Sequence, residues 1–466
     1  MATLDAACFP PGFIPAGAWE SVEVEPGIAV RHPILTPADW QSLLDALEDS
    51  ALRRRGRPVG EVIGSLGRAA ERFLDPDDPA RGQALEWLVP TARISTEMAG
   101  AVLTGMARDW TRDRLTELLE RELGGPEVLD GFRRFDSGRA VHAMGPHLSF
   151  HVGAGTVPGV SVSSLIRALL VKSAVLLKPG EGDIALPVLF ARALAQEDPE
   201  LARGVAVVYW PGGTGPAERL VLERADTVVA YGSGESLEAL RDRTPITSRF
   251  VAYHHRVSVG LVGRDALGSD EARRVAAAAA AAVSMFDQRG CVSPHVLYVE
   301  RGGTVEPAAW AGALRDAMVE VEAELPGGRL TAAEASALHQ VRGATELDHA
   351  SARGTLIYYG NYGSWTVIYQ ESPSFTLSSQ NRVVYVKPVA DLTEVPGLLH
   401  DVRRHLQTVA LVGAGGRRRE LAMALGRVGV TRISSFEGAP WPPPWWHHDG
   451  ASPLSPLIRW IDLEDE

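Results

Sequence analysis

Lysine and cysteine are both scarce in this chain. Only three of the 46 basic residues are lysines, Lys172, Lys178 and Lys387. A lysine retained against such a bias is a candidate for a task that suits a compact, flexible charge better than a planar guanidinium. The two cysteines, Cys8 and Cys291, allow at most one disulfide. We interpret them as free thiols of a reducing, cytoplasmic compartment.

Long hydrophobic runs are absent as well. No apolar run reaches the ~20 residues that a membrane helix requires, so no membrane span is expected. The first residues lack the basic segment and apolar core of a signal peptide. The net charge of -12 argues against a nucleic-acid-binding surface. With 466 residues, 45% of them hydrophobic, the composition predicts a globular protein of two or three domains.

The first part of the chain, to about residue 130, is predicted to be mostly helical. Its stretches PADWQSLLDALEDSALRRRG and MARDWTRDRLTELLEREL carry apolar residues three and four positions apart, which gives each helix one buried stripe. From about residue 140, short apolar runs alternate with helical patterns. The runs are AVLLKP, GVAVVYW, DTVVAYG and RFVAYHH. This alternation predicts right-handed crossovers and a mostly parallel sheet covered on both faces.

A second α/β block is predicted to follow. It opens with a long alanine-rich helix, for which Ser269 or Asp270 is the expected N-cap, and includes a helix near 307–323 and another at 416–427. Its predicted strands are HVLYVE, GTLIYYG, WTVIYQ, NRVVYVKPV, TVALVGA and GVTRISS. The closing stretch EGAPWPPPWWHHDG has too many prolines for a helix interior or a central strand. The predicted fold class is therefore α/β.

Cys291 lies in SMFDQRGCVSPH, between the alanine-rich helix and the strand HVLYVE. A free cysteine is often simply a small buried residue. Here Arg289 and the backbone amides of a glycine turn are suited to stabilising a thiolate, which is the nucleophilic form. We also expect this joint to lie at the carboxyl edge of a sheet, where α/β proteins bind ligands. On these features alone, both the structural and the catalytic interpretation stay open.

Two other segments have features of a nucleotide site. Lys178 ends an apolar strand in LLKPGEGD, and Glu181 follows in the turn. Such a pair is able to clamp ribose hydroxyls or phosphate, although a solvated turn is the simpler alternative. In AYGSGES a strand leads through Gly232 and Ser233 into a helix, whose amino end suits an anion. Tight turns need glycine in any case, so this second signal is unspecific.

Adjacent histidines occur in VAYHHRVS and in WWHHDG. Neighbours on a strand point to opposite faces, so neither pair matches a metal site that uses both side chains. A structural role is the expectation for both pairs. One of His254 and His255 is the candidate to face a cleft.

The order of these segments resembles the aldehyde dehydrogenase superfamily. The shared pattern is an apolar strand followed by KPxE, then PGG, a YGSGES turn and FDQRGC. Longer stretches are similar to one branch, the LuxC-type acyl-CoA reductases, which make fatty aldehyde for bacterial luciferase. These stretches are HVGAGTVPGVSVSSLIRALLVKSAVLLKP, HHRVSVG, FDQRGCVSPHVLYVE, NRVVYVKP and the terminal HHDG…LIRWIDLE. The resemblance covers about residue 140 to the end and is fainter through the helical N-terminus.

The resemblance implies a role for each matched position. Cys291 matches the nucleophile of the superfamily. Lys178 and Glu181 match the lysine and the carboxylate that bind the cofactor ribose. Gly232 and Ser233 match the turn beside the cofactor pyrophosphate. NADPH is the cofactor expected from the branch, with NADH as the alternative.

Two positions depart from the aldehyde-oxidising members. Where those members carry an oxyanion-binding asparagine, this chain has Thr156, whose hydroxyl donates one hydrogen bond with a shorter reach. Where they carry a general-base glutamate, FVAYHHRVS has no carboxylate, and Ala252 is the nearest match. Without a base to activate water, a cysteine thioester is protected from hydrolysis and free to accept hydride. His255 is the candidate to donate or relay a proton.

The resemblance also implies an architecture and a reaction. The expected fold is aldehyde-dehydrogenase-like: a helical segment and Rossmann-type cofactor domain over 1–256, a catalytic α/β domain over 257–435, and a tail over 436–466 that packs back. The expected reaction reduces an acyl thioester, most simply a long-chain acyl-CoA, to the aldehyde. The alternatives are an acyl-phosphate reductase and a non-catalytic homologue that binds an acyl-transferring partner. An acyl-transferring partner protein and a homo-oligomer are both compatible with the branch, and no metal is expected.

Overall fold

The structure is a computed structural model, and it describes residues 2–136, 138–211, 216–351 and 354–464. Gly212 and Gly213 of the PGG segment lie outside the described residues. Across the described ranges, no helix has the length and apolar character needed to cross a membrane.

The strands of the described residues are, in chain order, β1 (Ala2–Asp5), β2 (Ala7–Cys8), β3 (Trp19–Glu25), β4 (Ile28–Pro33), β5 (Arg133–Asp136), β6 (Arg139–Met144), β7 (Leu148–Val152), β8 (Ala174–Lys178), β9 (Val205–Val208), β10 (Thr227–Gly232), β11 (Arg249–His254), β12 (Val257–Val262), β13 (Pro294–Glu300), β14 (Thr355–Tyr359), β15 (Thr366–Gln370), β16 (Val383–Val389), β17 (Leu406–Val412), β18 (Arg432–Ser434) and β19 (Arg459–Glu464). The α-helices are α1 (Pro37–Arg54), α2 (Val59–Leu74), α3 (Pro79–Ala92), α4 (Thr96–Arg108), α5 (Arg112–Leu123), α6 (Val160–Leu170), α7 (Ala185–Glu197), α8 (Pro199–Ala202), α9 (Pro216–Arg224), α10 (Gly234–Arg243), α11 (Ser269–Ser284), α12 (Pro307–Glu324), α13 (Ala332–Ala350), α14 (Val395–Leu398) and α15 (Arg418–Arg427).

The first large sheet has the strand order β11-β10-β7-β8-β9-β2. Its strands are parallel except for β2, which pairs antiparallel with β9. Alternate residues of β8 enter different cores: Val175 and Leu177 pack in the cluster that includes α6 and α7, whereas Leu176 packs in the cluster that includes α1. The predicted parallel sheet covered on both faces is confirmed, and the apolar runs of its central strands follow from burial on both sides.

The second large sheet has the order β14-β15-β16-β13-β12-β17-β18 and is parallel except for the edge strand β14. Alternation again divides its strands between two cores. Leu297 packs with Trp310 of α12, and Val296 packs with Leu421 of α15. The α/β fold class is therefore confirmed. A small antiparallel sheet, β19-β6-β5, joins the end of the chain to the segment before β7.

Three local predictions differ from the structure. Residues 2–33 form strands β1–β4 before the expected helices begin. Helix α13 was not predicted, because few of its residues are buried and its apolar stripe is weak. Helix α11 begins at Ser269, but its N-cap is Gly268, so neither Ser269 nor Asp270 caps it.

Candidate active site

Cys291 lies between a short 3₁₀ turn, Met285–Gln288, and strand β13. Its backbone carbonyl accepts a hydrogen bond of 2.6 Å from the Ser258 hydroxyl at the start of β12. The expected position at the carboxyl edge of its sheet is wrong, because β12 and β13 are parallel and both begin here. The thiol instead shares a cavity with residues that follow or end β7, β10 and β11, at the carboxyl edge of the first sheet.

The turn before Cys291 is left-handed. Phe286, Asp287 and Gln288 have φ angles of 57°, 51° and 62°, and a non-glycine residue in this region costs on the order of 1–3 kcal/mol. Gln288 Nε2 donates to the backbone carbonyls of Pro294 and Val383 at 2.8 and 2.7 Å. These bonds tie the strained turn to the first residues of β13 and β16.

A second left-handed turn, at 380–382, packs against the first, with φ angles of 64°, 54° and 60°. Its last residue, Arg382, is only 1% exposed. Arg382 Nε donates to Asp287 Oδ1 at 2.9 Å, and Nη1 donates to Glu322 Oε2 at 2.8 Å. This buried guanidinium fixes the backbone that presents the thiol.

Arg289 lines the same cavity as Cys291, but its guanidinium is paired with other groups. Its Nη1 donates to the carbonyl of Ala92 at 3.0 Å, and its Nη2 lies 3.5 Å from Glu334 Oε1. The Cys291 thiolate is favoured by a hydrogen bond from the Gln407 side chain, by its own backbone N–H and by the charge of Arg256. Burial outweighs these effects and, with the nearby Asp449, raises the pKa of the Cys291 thiol to about 12. The thiol is therefore protonated at neutral pH.

Cys291 lines two cavities of different character. We call the first, of about 890 Å³, the apolar chamber; its walls come from α4, α5, α6 and the proline-rich tail, and include Trp110, Leu115, Leu118, Ile166, Phe286, Trp441 and Trp446. We call the second, of about 730 Å³, the polar cavity; it is lined by Gly155, Thr156, Gly232, Tyr253, His254, His255 and Arg256. The thiol is therefore accessible both to an apolar group bound in the chamber and to a polar group bound in the polar cavity.

His448 is the histidine that reaches the thiol. Its Nε2 lies 3.7 Å from Cys291 Sγ. The ring stacks between Tyr253 and Trp446, with centroids 4.7 Å away on each side. Burial lowers the pKa of His448 to about 4, so the imidazole is neutral near pH 7. A neutral imidazole next to a protonated thiol is able to accept its proton.

Asp449 completes the polar side of the thiol. Its Oδ1 accepts a 2.9 Å hydrogen bond from Gln407 Nε2 and lies 3.6 Å from His448 Nε2. Its Oδ2 lies 2.9 Å from Arg256 Nη2. The carboxylate raises the pKa of His448 against the larger effect of burial. It therefore stabilises the imidazolium that forms when His448 takes a proton.

The remaining predicted residues fall along the polar cavity and the adjoining sheet edge. Thr156 and His255 both line the polar cavity and are exposed. Lys178 ends β8, with its Nζ 5.4 Å from the Trp210 ring centroid, and burial lowers its pKa. Glu181 is exposed in the turn that follows β8.

The Gly232–Ser233 turn lies where β10 ends and α10 begins. Gly232 lines the polar cavity together with Cys291. Ser233 is the N-cap of α10, and its hydroxyl accepts from the Ser236 backbone N–H at 3.2 Å. The first turn of this ten-residue helix therefore lies beside the cavity, as the strand-turn-helix pattern predicts.

His448 and Asp449 were not among the predicted site residues. They lie in a proline-rich tail that local sequence patterns describe only as irregular. The similarity of the terminal HHDG stretch to the acyl-CoA reductase branch is a signal for this segment, but it does not by itself assign a role to either residue.

Sequence comparison decides the family. A family model described as Acyl-CoA reductase (LuxC) matches residues 56–460. The chain belongs to the LuxC family. The resemblance read from the motifs is confirmed, and the match begins well before residue 140, within the helical N-terminal region.

Curated proteins named as long-chain acyl-protein thioester reductases are similar to the chain over most of its length. A long-chain acyl-protein thioester reductase of Aliivibrio fischeri is 25% identical over 464 residues, which cover 96% of this chain and 90% of the relative. The long-chain acyl-protein thioester reductase 2 of Photobacterium leiognathi is 21% identical over 450 residues, covering 93% and 87%.

Solved structures with the same fold are aldehyde dehydrogenases. A lactaldehyde dehydrogenase superimposes with a TM-score of 0.74 at 15% identity and covers 99% of both chains. An NADP-dependent glyceraldehyde-3-phosphate dehydrogenase from Bacillus halodurans gives 0.71 at 14% identity, covering 97% of this chain and 96% of that one. The expected aldehyde-dehydrogenase-like fold of this LuxC family member is confirmed.

Proposed function

We propose that this chain reduces a fatty acyl thioester to the aldehyde, with Cys291 carrying the acyl group as a thioester. The observation that carries the proposal is the position of the thiol, which lines both the apolar chamber and the polar cavity. The chamber suits an acyl chain, and the cavity suits a nicotinamide cofactor. Membership of the LuxC family supports the reaction class, and the relatives named as acyl-protein thioester reductases support a donor carried on CoA or on a protein.

His448 activates the thiol in this proposal. At neutral pH the thiol is protonated and the imidazole is neutral. As Sγ bonds to the acyl carbon, Nε2 of His448 takes the thiol proton, and Asp449 stabilises the imidazolium. The carbon–sulfur bond of the donor then breaks, and His448 returns the proton to the departing thiolate. This cycle releases the donor thiol and leaves the acyl group on Cys291.

Two donors are proposed to hold the oxyanion that forms at the acyl carbonyl. One is the backbone N–H of Cys291, held by the left-handed turn. The other is the hydroxyl of Thr156, which lines the same polar cavity. Donors fixed before reaction stabilise developing charge without reorganisation, which is the usual basis of such sites.

Residues of the polar cavity and of the adjoining sheet edge fit a nicotinamide dinucleotide. Lys178 offers an ammonium and Glu181 a carboxylate for ribose hydroxyls, while Gly232 and Ser233 bring the amino end of α10 to the cavity for phosphate. We propose NADPH, with NADH as the alternative. When bound, the cofactor supplies hydride to the acyl carbon. These residues belong to 1–256, which we propose as the cofactor domain.

Release of aldehyde uses the same protein groups. After the acyl carbon has gained hydride, its bond to Sγ breaks, the carbonyl re-forms, and the sulfur takes up one proton from solvent by way of His448. His255, exposed in the polar cavity, is proposed to pass that proton inward from solvent. The catalytic domain, 257–435, thus supplies the nucleophile, and the tail, 436–466, supplies the base and closes the apolar chamber.

Competing hydrolysis is disfavoured by the lining of the polar cavity. Among the described residues that line it, none carries a carboxylate. Ala252, the nearest match to the general-base glutamate of aldehyde-oxidising members, pairs with Ala230 on the neighbouring strand. With no carboxylate to activate water, the acyl-enzyme persists until hydride arrives.

The proposal is tested by aldehyde formation from acyl-CoA, acyl-protein and acyl-phosphate donors with NADPH. We expect aldehyde and free thiol from the two thioesters, loss of activity in Cys291→Ala, and full activity in Cys8→Ala. Cys8 is the matched control because it is a half-buried thiol on β2, outside both cavities. Release of phosphate from the acyl phosphate, with no turnover of thioesters, would instead identify an acyl-phosphate reductase. Activity on none of the three donors would favour a non-catalytic homologue.

A further inference from the structure

The apolar chamber is separated from an open groove by a thin wall. The groove has a volume of about 1520 Å³ and runs along α4 and the start of α5, where Gly105, Arg108 and Arg114 line it. Two residues, Asp109 and Trp441, line both the chamber and the groove. The wall between the two spaces therefore includes the side chains of Trp441 and Asp109.

Trp441 fits tightly between the cysteine turn and α4. Its ring lies 5.2 Å from the Phe286 ring, edge to face, and Phe286 belongs to the left-handed turn before Cys291. On the other side, a Cβ built on Gly105 would lie 2.2 Å from an indole carbon. The absence of a side chain at Gly105 therefore allows the indole ring to pack directly against the helix backbone.

The segment that carries Trp441 is fixed at both ends. Prolines at 440 and 442–444 restrict its backbone. Farther along, the ring of Trp445 packs against the guanidinium groups of Arg114 and Arg121, at 4.3 and 4.5 Å from its centroid. Arg114 also binds Asp109, at 3.1 Å. The Asp109 carboxylate of the wall and the tail are thus held by one arginine.

We propose that Trp441 sets the upper length of the acyl chain that this enzyme accepts, by closing the far side of the apolar chamber. The proposal rests on the proposed function, because it places the acyl group of the Cys291 thioester in that chamber. A chain that fits inside gains about fourfold in kcat/KM per methylene, which corresponds to about 0.8 kcal/mol for each buried CH₂. A longer chain has to displace the indole of Trp441 or place apolar carbon against the Asp109 carboxylate. Beyond that length, additional methylenes should no longer increase kcat/KM.

The test is a chain-length series from butyryl to stearoyl, measured on the native chain, Trp441→Ala and Trp460→Ala. Trp460 is the control because it is an exposed tryptophan on β19 that lines neither the chamber nor the groove. We expect Trp441→Ala to accept chains beyond the native limit, with a gain of roughly 10- to 200-fold for the first chains that the native enzyme rejects. Butyryl donors should be used at close to the native rate, because so short a chain does not reach the wall. Trp460→Ala should keep the native profile.

Binding of free fatty acids is measured on the same variants by displacement of a fluorescent fatty acid. This readout needs no turnover, so it separates the two proposals. If no donor is reduced but the longest bound fatty acid still lengthens in Trp441→Ala, the wall is supported and the proposed reaction is wrong. If the length limit is the same in all three proteins, in both assays, Trp441 does not set it. Trp441→Phe, which retains a ring, should give an intermediate limit and serves in place of the alanine variant if that variant unfolds.

Discussion

Cys291 Sγ lies 3.7 Å from Nε2 of His448, a residue 157 positions farther along the chain. The thiol comes from a turn at the amino end of β13, and the imidazole comes from the tail after β18. The tail therefore contributes directly to the site. Burial keeps the thiol protonated and the imidazole neutral, so in the proposed mechanism this contact lets His448 take the proton as Sγ bonds to the acyl carbon.

Replacing His448 by glutamine is expected to slow acylation of Cys291 by about 10²–10⁴-fold, the usual contribution of a general base. Single-turnover release of CoA from an acyl-CoA measures this step. The matched control is His447→Gln, since His447 is the neighbouring histidine and its side chain is 64% exposed. Equal acylation rates in the two variants would show that His448 takes no part in the proton transfer.

The state of the thiol is tested by alkylation at different pH values in a Cys8→Ala background. Because the pKa of Cys291 is raised to about 12, its thiolate fraction should grow about tenfold per pH unit from about pH 7 to 10. His448, with a pKa of about 4, does not titrate in this window. The iodoacetamide rate should therefore rise log-linearly without a plateau. A plateau near neutral pH would mean a stable thiolate–imidazolium pair instead.

Most strands of the two large sheets were predictable, because they are short apolar runs separated by strongly patterned helices. The interior strands β7 and β12 were not predicted. The strands at 2–33 could not be predicted, since β3 is mostly exposed and therefore lacks an apolar pattern. Their pairing also depends on segments that are distant in the sequence. Helix α13 has a weak apolar stripe, but Thr331 and Glu334 form a capping box at its start. The spacing TAAE was a readable signal for that helix.

Cofactor preference is tested at Glu181. Its carboxylate, if it binds the ribose hydroxyls, repels a 2′-phosphate, so Glu181→Gln should raise the ratio of kcat/KM for NADPH over NADH roughly tenfold, or about 1.4 kcal/mol. Glu200→Gln is the matched control, because Glu200 is an exposed carboxylate that pairs with Arg203 at the end of α8. An unchanged ratio in Glu181→Gln would place this residue away from the ribose.

Arg382 is expected to be essential for stability as well as for the cysteine turn. Arg382→Met leaves the buried Asp287 carboxylate without its partner, and breaking such a buried pair costs about 3–5 kcal/mol. Arg301→Met is the control, since Arg301 pairs with Glu371 at the surface and should contribute less than about 1 kcal/mol. Unfolding in urea measures both. A loss in Arg382→Met no larger than in the control would show that the ion pair does not hold the turn.

The candidate site was predictable only in part. Cys291, Lys178 and Glu181 belong to short contiguous motifs, which sequence displays directly. The residues that surround the thiol do not belong to the cysteine motif, because Arg256 and His448 come from separate segments of the chain. Arg289, adjacent in sequence, turns instead toward Ala92 and Glu334. Proximity in sequence therefore pointed to Arg289, whereas the charge that acts on the thiol comes from Arg256, in the link between β11 and β12.

The persistence of the acyl-enzyme tests the account most directly. The native chain is mixed with a labelled long-chain acyl-CoA in the absence of cofactor, with Cys291→Ala as the control. We predict that a single thioester label accumulates on Cys291, that neutral hydroxylamine releases it, and that NADPH discharges it as aldehyde. Hydrolysis should be slow, because no carboxylate among the described residues of the polar cavity is placed to activate water. Rapid release of free fatty acid, with little labelled protein, would contradict the account and would identify a thioesterase or an aldehyde-oxidising enzyme.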